Sequence, residues 1–191
     1  MRKVSTTTTR NRLESRIGGL TLEGQPHALS AWFVVALRFA LGGMILFAGL
    51  GKVAFVSGEG FNAAGYLANV DAASPVSGLF GAMAATPALV EAINVIIPVT
   101  QVLIGVALIA GAFVRLAAFG GALQMLLFYL GGWDGNGLAA FDSTLIYMVA
   151  FLAIGAFAAG RILGADRHIE QLDVGGQPLV ERFPQIRFLL G

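Results

Sequence analysis

Four stretches of this chain, about residues 31–56, 89–112, 115–133 and 141–163, are almost free of charge and long enough to cross a bilayer. Crossing the hydrocarbon as a helix takes roughly 20 largely apolar residues. A backbone in that medium has no water to bond to, so these stretches are expected to be helices that satisfy their own hydrogen bonds. The share of hydrophobic residues, 57% against 12% charged, lies outside the range of soluble globular domains. The expected fold is all-α, a four-helix transmembrane bundle in the cell membrane, multi-pass, in direct contact with the lipid bilayer.

Between the first two stretches lies a connection, about 57–88, too polar to span and too apolar for a solvated loop. Its phrases FNAAGYLANV and SPVSGLFGAMA read as two short amphipathic helices, with Ser74-Pro75 starting the second. They are expected to lie flat on one membrane face as a lid. The domain reading is thus an N-terminal tail over 1–30, a membrane domain over 31–163 and a C-terminal tail over 164–191. The first thirty residues are basic but lack an apolar run followed by a small-residue cleavage site, so they read as a retained tail.

Basic residues set the expected orientation. Arg2, Lys3, Arg10, Arg12 and Arg16 precede the first stretch, Arg115 separates the second and third, and Arg161, Arg167, Arg182 and Arg187 close the chain. Segments 57–88 and 134–140 hold no Lys or Arg. The positive-inside rule then places both termini in the cytoplasm and the lid outside.

Polar groups within the stretches are costly in lipid and are therefore candidate functional or structural sites. Arg38 lies toward the cytoplasmic end of the first stretch, where its guanidinium is within reach of the headgroups. Lys52 sits at the outer end, with Gly42 and Gly49 near the line between the two cations. In the second stretch Glu91, Asn94, Pro98, Gln101 and Gly105 follow the alternating three-and-four spacing of a packed seam, so this stripe is expected to face other helices. Gln124 lies midway along the third stretch, Asp142 opens the fourth, where a carboxylate suits the helix dipole, and Tyr147 is deeper. The outer half of the bundle is expected to gather Lys52, Glu91, Asn94, Gln101, Gln124, Asp142 and Tyr147 into one polar pocket, with Lys52 paired to Glu91 or Asp142. A bare ion pair holding helices together accounts for Lys52 equally well.

The residues absent are as informative. There is no Cys, which leaves no disulfide, thiolate metal site, iron–sulfur ligation or thiol chemistry in this chain. His27 and His168 both lie outside the stretches, so paired-histidine haem ligation within the membrane is not expected. The segment WDGNGLAAFD lacks the spacing of a calcium loop, and no metal site is expected. The basic residues are interfacial and form no patch for nucleic acid.

The chain resembles the DoxX/DoxD group of small four-helix membrane proteins. The likeness is carried by RFALGGMILFAGLGKV, by the lid phrases GYL and SPVSGLF, by LIGVALIAGAFVRLAA, and by AGRILGADR with Gly160, Arg161 and Asp166. It spans about residues 31–169. The resemblance implies a membrane subunit like that of thiosulfate:quinone oxidoreductase, working with a second subunit, or an accessory protein of redox systems. Quinone is then the implied cofactor, with Lys52, Glu91, Asn94, Gln101, Gln124 and Tyr147 as candidate binding residues. Arg38, Asp142, Arg161 and Asp166 are the candidate ion-pair or interface residues. The outward segments carry Glu59, Asp71, Glu91, Asp134 and Asp142 against Lys52 alone, so a dianion such as thiosulfate would need a site on a partner. The expected function is an integral membrane subunit of a quinone-linked redox system; the alternative is a noncatalytic scaffold that docks a partner protein or another copy of itself.

Overall fold

The computed structural model describes residues 13–17, 20–24, 26–53, 58, 60–137 and 140–190. Glu59, the tip of the first stretch at 54–57, and the basic residues Arg2, Lys3, Arg10 and Arg12 lie outside them. The chain divides into two compact units, Met1–Phe33 and Val34–Gly191.

The N-terminal unit carries two antiparallel strands, β1 (Leu13–Ile17) and β2 (Leu20–Gly24), with Leu13 opposite Gly24 and Ile17 opposite Leu20. The region expected as a plain tail therefore holds a hairpin.

The second unit is built from helices. Three are long and apolar enough to cross a membrane: α1 (Ser30–Leu50), α4 (Pro87–Ala110) and α5 (Val114–Gly131). Only 33%, 28% and 44% of their apolar windows are buried inside the protein, so most of each helix surface faces outward, as contact with lipid requires. Between α1 and α4 lie the short helices α2 (Ala64–Ala68) and α3 (Ser77–Ala84). They bury Ala63, Leu67 and Phe80 against Val90 and Ile93 of α4. Ser74 Oγ donates to the carbonyl of Leu130 at 2.7 Å, and Tyr66 stands edge-on to Phe128, which ties the pair to the end of α5. Partial burial raises the Tyr66 phenol above its ordinary pKa.

The fourth stretch differs from expectation. Its helix, α6 (Ser143–Ala156), has 14 residues, about 21 Å at 1.5 Å per residue, against a hydrocarbon core of about 30 Å. The reason is a hydrogen-bonded stop. Ala158 takes a left-handed φ of 50°, the Ala159 amide donates to Ile154 O and the Ala158 amide to Gly155 O, the bond pattern of a Schellman motif. Helix α4 stops in the same way at Gly111, φ 69°, where glycine accepts the conformation without penalty. Beyond α6 come α7 (Asp166–Glu170), α8 (Leu179–Arg182) and a closing 3-10 turn, Pro184–Phe188.

Close backbone approach joins α1 to α4. A side-chain carbon on Gly105 would lie 2.5 Å from Leu46 Cβ and 2.7 Å from Leu46 N, and one on Gly49 would lie 2.8 Å from Gln101 Cβ. Small residues replace the missing hydrophobic drive between helices in lipid by letting backbones touch. Helices α5 and α6 interlock around Phe151, fully buried over Gly121. Gly105→Ala is expected to lower unfolding stability in detergent by about 1–3 kcal/mol through overpacking. Gly43→Ala, whose added carbon meets nothing within 4 Å, is expected to leave it unchanged or slightly raised. Thermal unfolding of the two variants checks the contrast.

Candidate functional site

Two places in the helical unit concentrate polar chemistry. The first is built on Arg38, two turns into α1 and 0% exposed. Its Nη1 donates to the carbonyls of Ala159 and, at 3.0 Å, Ile162; Nη2 donates to Leu163 O at 3.0 Å. These carbonyls follow the stop of α6, so Arg38 acts as a cation brought from another helix to that helix's carbonyl-rich end. The expected reach of Arg38 to the headgroups is thus corrected: the guanidinium is sealed inside the protein.

Asp166 mirrors it at the start of α5. Also 0% exposed, its carboxylate accepts from the amides of Phe113 at 2.6 Å and Val114 at 3.0 Å, filling donors that a helix start leaves open. The two charges sit at one junction, with Gly111 and Gly164 close against Arg38 Nη1 and Gly160 against the Asp166 carboxylate. Backbone bonds reinforce the junction: Ala165 N donates to Ala110 O at 3.1 Å and Asp166 N to Gly111 O at 2.8 Å. The C-terminal tail adds Leu189 O, which accepts from Leu116 N at 3.2 Å, and buries Leu190 completely.

Glycines make this junction possible. A side chain on Gly111 would meet Gly164 Cα at 2.5 Å and Arg38 Nη1 at 2.9 Å, and one on Gly160 would collide with the Asp166 carboxylate. Phe113, Ala158 and Leu163 have φ of 51°, 50° and 51°, the positive-φ non-glycine residues of the described chain. All three adjoin the junction, each next to or supplying a group that Arg38 or Asp166 binds. Backbone strain of this kind costs about 1–3 kcal/mol per residue and persists only where the surroundings enforce it.

The remaining candidates are distributed differently from the single pocket expected. Lys52 lies two residues beyond the end of α1, and its Nζ donates to Ala48 O at 2.9 Å and stands 5.7 Å from the Phe61 ring centre. Among the described residues it makes no ion pair with Glu91 or Asp142. The physical reason is that α1 ends early enough for Lys52 to turn back on its own last carbonyls, a favourable place for a cation. Glu91 is exposed and Tyr147 is 38% exposed. Asn94 Oδ1 accepts from Ala63 N at 2.8 Å, tying α4 to the entry of α2. Asp142 caps α6, accepting from Leu145 N at 2.9 Å and from the Thr144 hydroxyl. Arg161 pairs with Glu170. Gln101 is 1% exposed in the α1–α4 seam, and its Oε1 has no hydrogen-bond partner.

The second place is a groove of about 600 Å³ between α4 and α5. Its walls are apolar, among them Leu103, Leu116 and Leu123, all outwardly exposed, and its polar lining is Thr100 and Gln124. Gln124 is 7% exposed. Its Nε2 donates to Thr100 Oγ1 at 2.7 Å, while its Oε1 has no hydrogen-bond partner. Thr100 Oγ1 in turn donates to Ile96 O at 2.7 Å. Sequence reasoning passed over Thr100, because a threonine inside an apolar helix ordinarily bonds its own preceding turn and carries no further signal.

No protein-family model, curated protein or solved structure matches this chain.

Gly160→Ala is expected to push Asp166 off the Phe113 and Val114 amides and to cost about 3 kcal/mol, the scale of charged buried hydrogen bonds left open. Asp142→Ala removes one helix cap and is expected to cost only about 1 kcal/mol. Equilibrium unfolding of both in the same detergent measures the ratio.

Proposed function

We propose that this chain is a quinone-binding membrane subunit whose ligand lies in the α4–α5 groove, with electrons delivered through a partner protein. The observation that carries this reading is the buried Gln124 amide with an unpartnered oxygen on an otherwise apolar groove. The fit is specific in kind. Small-molecule sites are mostly apolar with a few placed polar groups, and the volume is in the range such sites use. A bound quinone supplies a carrier of two electrons and two protons.

The chain's own contribution is hydrogen bonding and exclusion of water. Gln124 holds an unpartnered acceptor buried at the groove wall, which a turn of the side chain toward the groove would offer to a ligand hydroxyl. Rotating the amide by half a turn presents its NH₂, suited to a ligand carbonyl, while Thr100 Oγ1 changes from acceptor to donor toward Gln124. The Gln124–Thr100 pair can therefore serve either form of a ligand that alternates between carbonyl and hydroxyl. Exposed leucines along the groove suit entry from the bilayer rather than from water. Under this reading α6 and the segment after it complete a fourth crossing, and both termini face the cytoplasm, as the arginine distribution favours.

A second reading has its own support. Ala117 and Gly120 line the groove, and small residues let a partner helix approach closely, so the groove would equally suit docking of a partner subunit or a second copy by a noncatalytic scaffold. Protein purified from native membranes is expected to retain quinone, and Gln124→Leu is expected to weaken retention about tenfold, the scale of one buried hydrogen bond. Lys52→Ala is expected to retain it. Equal retention by wild type and Gln124→Leu would overturn the reading, and a stoichiometric partner helix with no quinone would establish the second.

A further inference from the structure

At the end of the helical unit that carries Arg38 and Asp166 there is a separate hollow of about 490 Å³. Ala110, at the close of α4, forms one side; Leu163 and Gly164 form another; Arg161, Arg167 and His168 complete it. Its charge is unbalanced. Glu170 binds Arg161 through Nε and Nη2, and among the described residues Nη1 has no hydrogen bond, on a side chain 47% exposed. Arg167 is exposed and has no ion pair among the described residues. Asp166, next to Arg167 in sequence, is buried and accepts from the Phe113 and Val114 amides on the inner side of the junction.

The hollow also has an apolar rim. Leu163 O accepts from Nη2 of the buried Arg38, while the residue, with left-handed backbone, is 71% exposed and lines the hollow with the arginines. It stands where α4, one of the membrane-length helices, ends. Two cations above an exposed leucine at the end of a spanning helix match a phosphate joined to a glycerol and acyl chain. A free phosphate would use the cations alone.

We propose that this hollow binds the phosphate of an anionic glycerophospholipid, with Arg167 and the open edge of Arg161 on the phosphate and Leu163 against the glycerol–acyl region. Basic pockets at the ends of membrane helices recognise acidic headgroups in this way, and guanidinium suits phosphate through paired donors. The site is distinct from the α4–α5 groove and independent of what that groove holds. Since Leu163 and Gly164 also contact Arg38, a lipid held here would stabilise the junction behind it.

The test uses the full chain purified in mild detergent, with phosphatidylglycerol, phosphatidylcholine or inorganic phosphate added, reading lipid retention by native mass spectrometry and the shift in Tm. Phosphatidylglycerol is expected to be retained and to raise Tm, and phosphatidylcholine is not. Arg167→Gln is expected to weaken phosphatidylglycerol binding roughly fivefold, the effect of one basic residue near a charged lipid surface. Arg167→Lys should restore most of it. Arg182→Gln, at a guanidinium bonded to Val174 O, should leave it unchanged. Equal retention of the two lipids, indifference to Arg167→Gln, or full reproduction of the Tm shift by inorganic phosphate alone would overturn the proposal.

Discussion

Burying a charged group in an apolar bundle is costly unless strong partners answer it, and Arg38 and Asp166 answer the open ends of two helices, with Arg38 Nε alone of the guanidinium nitrogens left without a hydrogen-bond partner. Arg38 reaches the carbonyls after α6, and Asp166 reaches the amides that begin α5. Each charge alone would be expensive to bury; together, and with helix ends as partners, they become a junction among α1, the α4–α5 turn and the segment after α6. The consequences spread through the fold. Gly111, Gly160 and Gly164 are small because the carboxylate, the guanidinium and two backbones share that space. Phe113, Ala158 and Leu163 adopt left-handed backbone to aim the right groups inward.

Separation of tasks is the second consequence. The junction fixes one end of α4 and α5, and the short helices α2 and α3 pack over the other through Ser74, Asn94 and Phe80. Between these anchored ends a groove runs along α4 and α5. Gln124 and Thr100 then stand as an isolated polar pair in an apolar setting. Held at both ends, such a groove keeps its shape without contributing to the packing of α1 on α4, where Gly105 and Gly49 make the close approach.

Much of this was legible in sequence, and the failures share a cause. The length of the apolar runs located α1, α4 and α5, and the phrases around Tyr66 and Phe80 located the two short helices. The spacing of Pro98, Gln101 and Gly105 marked the buried face of α4, but spacing identifies a face and not the neighbour that covers it. Gln101 lies against Gly49 of α1, whereas Gln124 meets Thr100 in the groove, so two amides assigned to one pocket belong to different interfaces. The end of α6 was hidden for a related reason. Phe157 to Leu163 is apolar apart from Arg161, yet carbonyls within it are claimed by Arg38, 121 residues away from Ala159 in sequence, and no local pattern reports such a partner. Lys52 was misplaced because the apolar run outlasts the helix. The C-terminal tail bonds Leu189 O to Leu116 N of α5 and buries Leu190, contacts that only tertiary structure reveals.

The claim on which the rest depends is that Arg38 and Asp166 act as one unit. A double-mutant cycle with Arg38→Met and Asp166→Asn, followed by reversible unfolding in a single detergent, measures it directly. The account predicts that each single substitution costs about 3–5 kcal/mol, because a buried charge or a set of helix-end groups loses its partner. It predicts that the double variant costs less than the sum by at least about 1 kcal/mol. Strictly additive losses would contradict it and would mean that the two residues cap their helix ends independently.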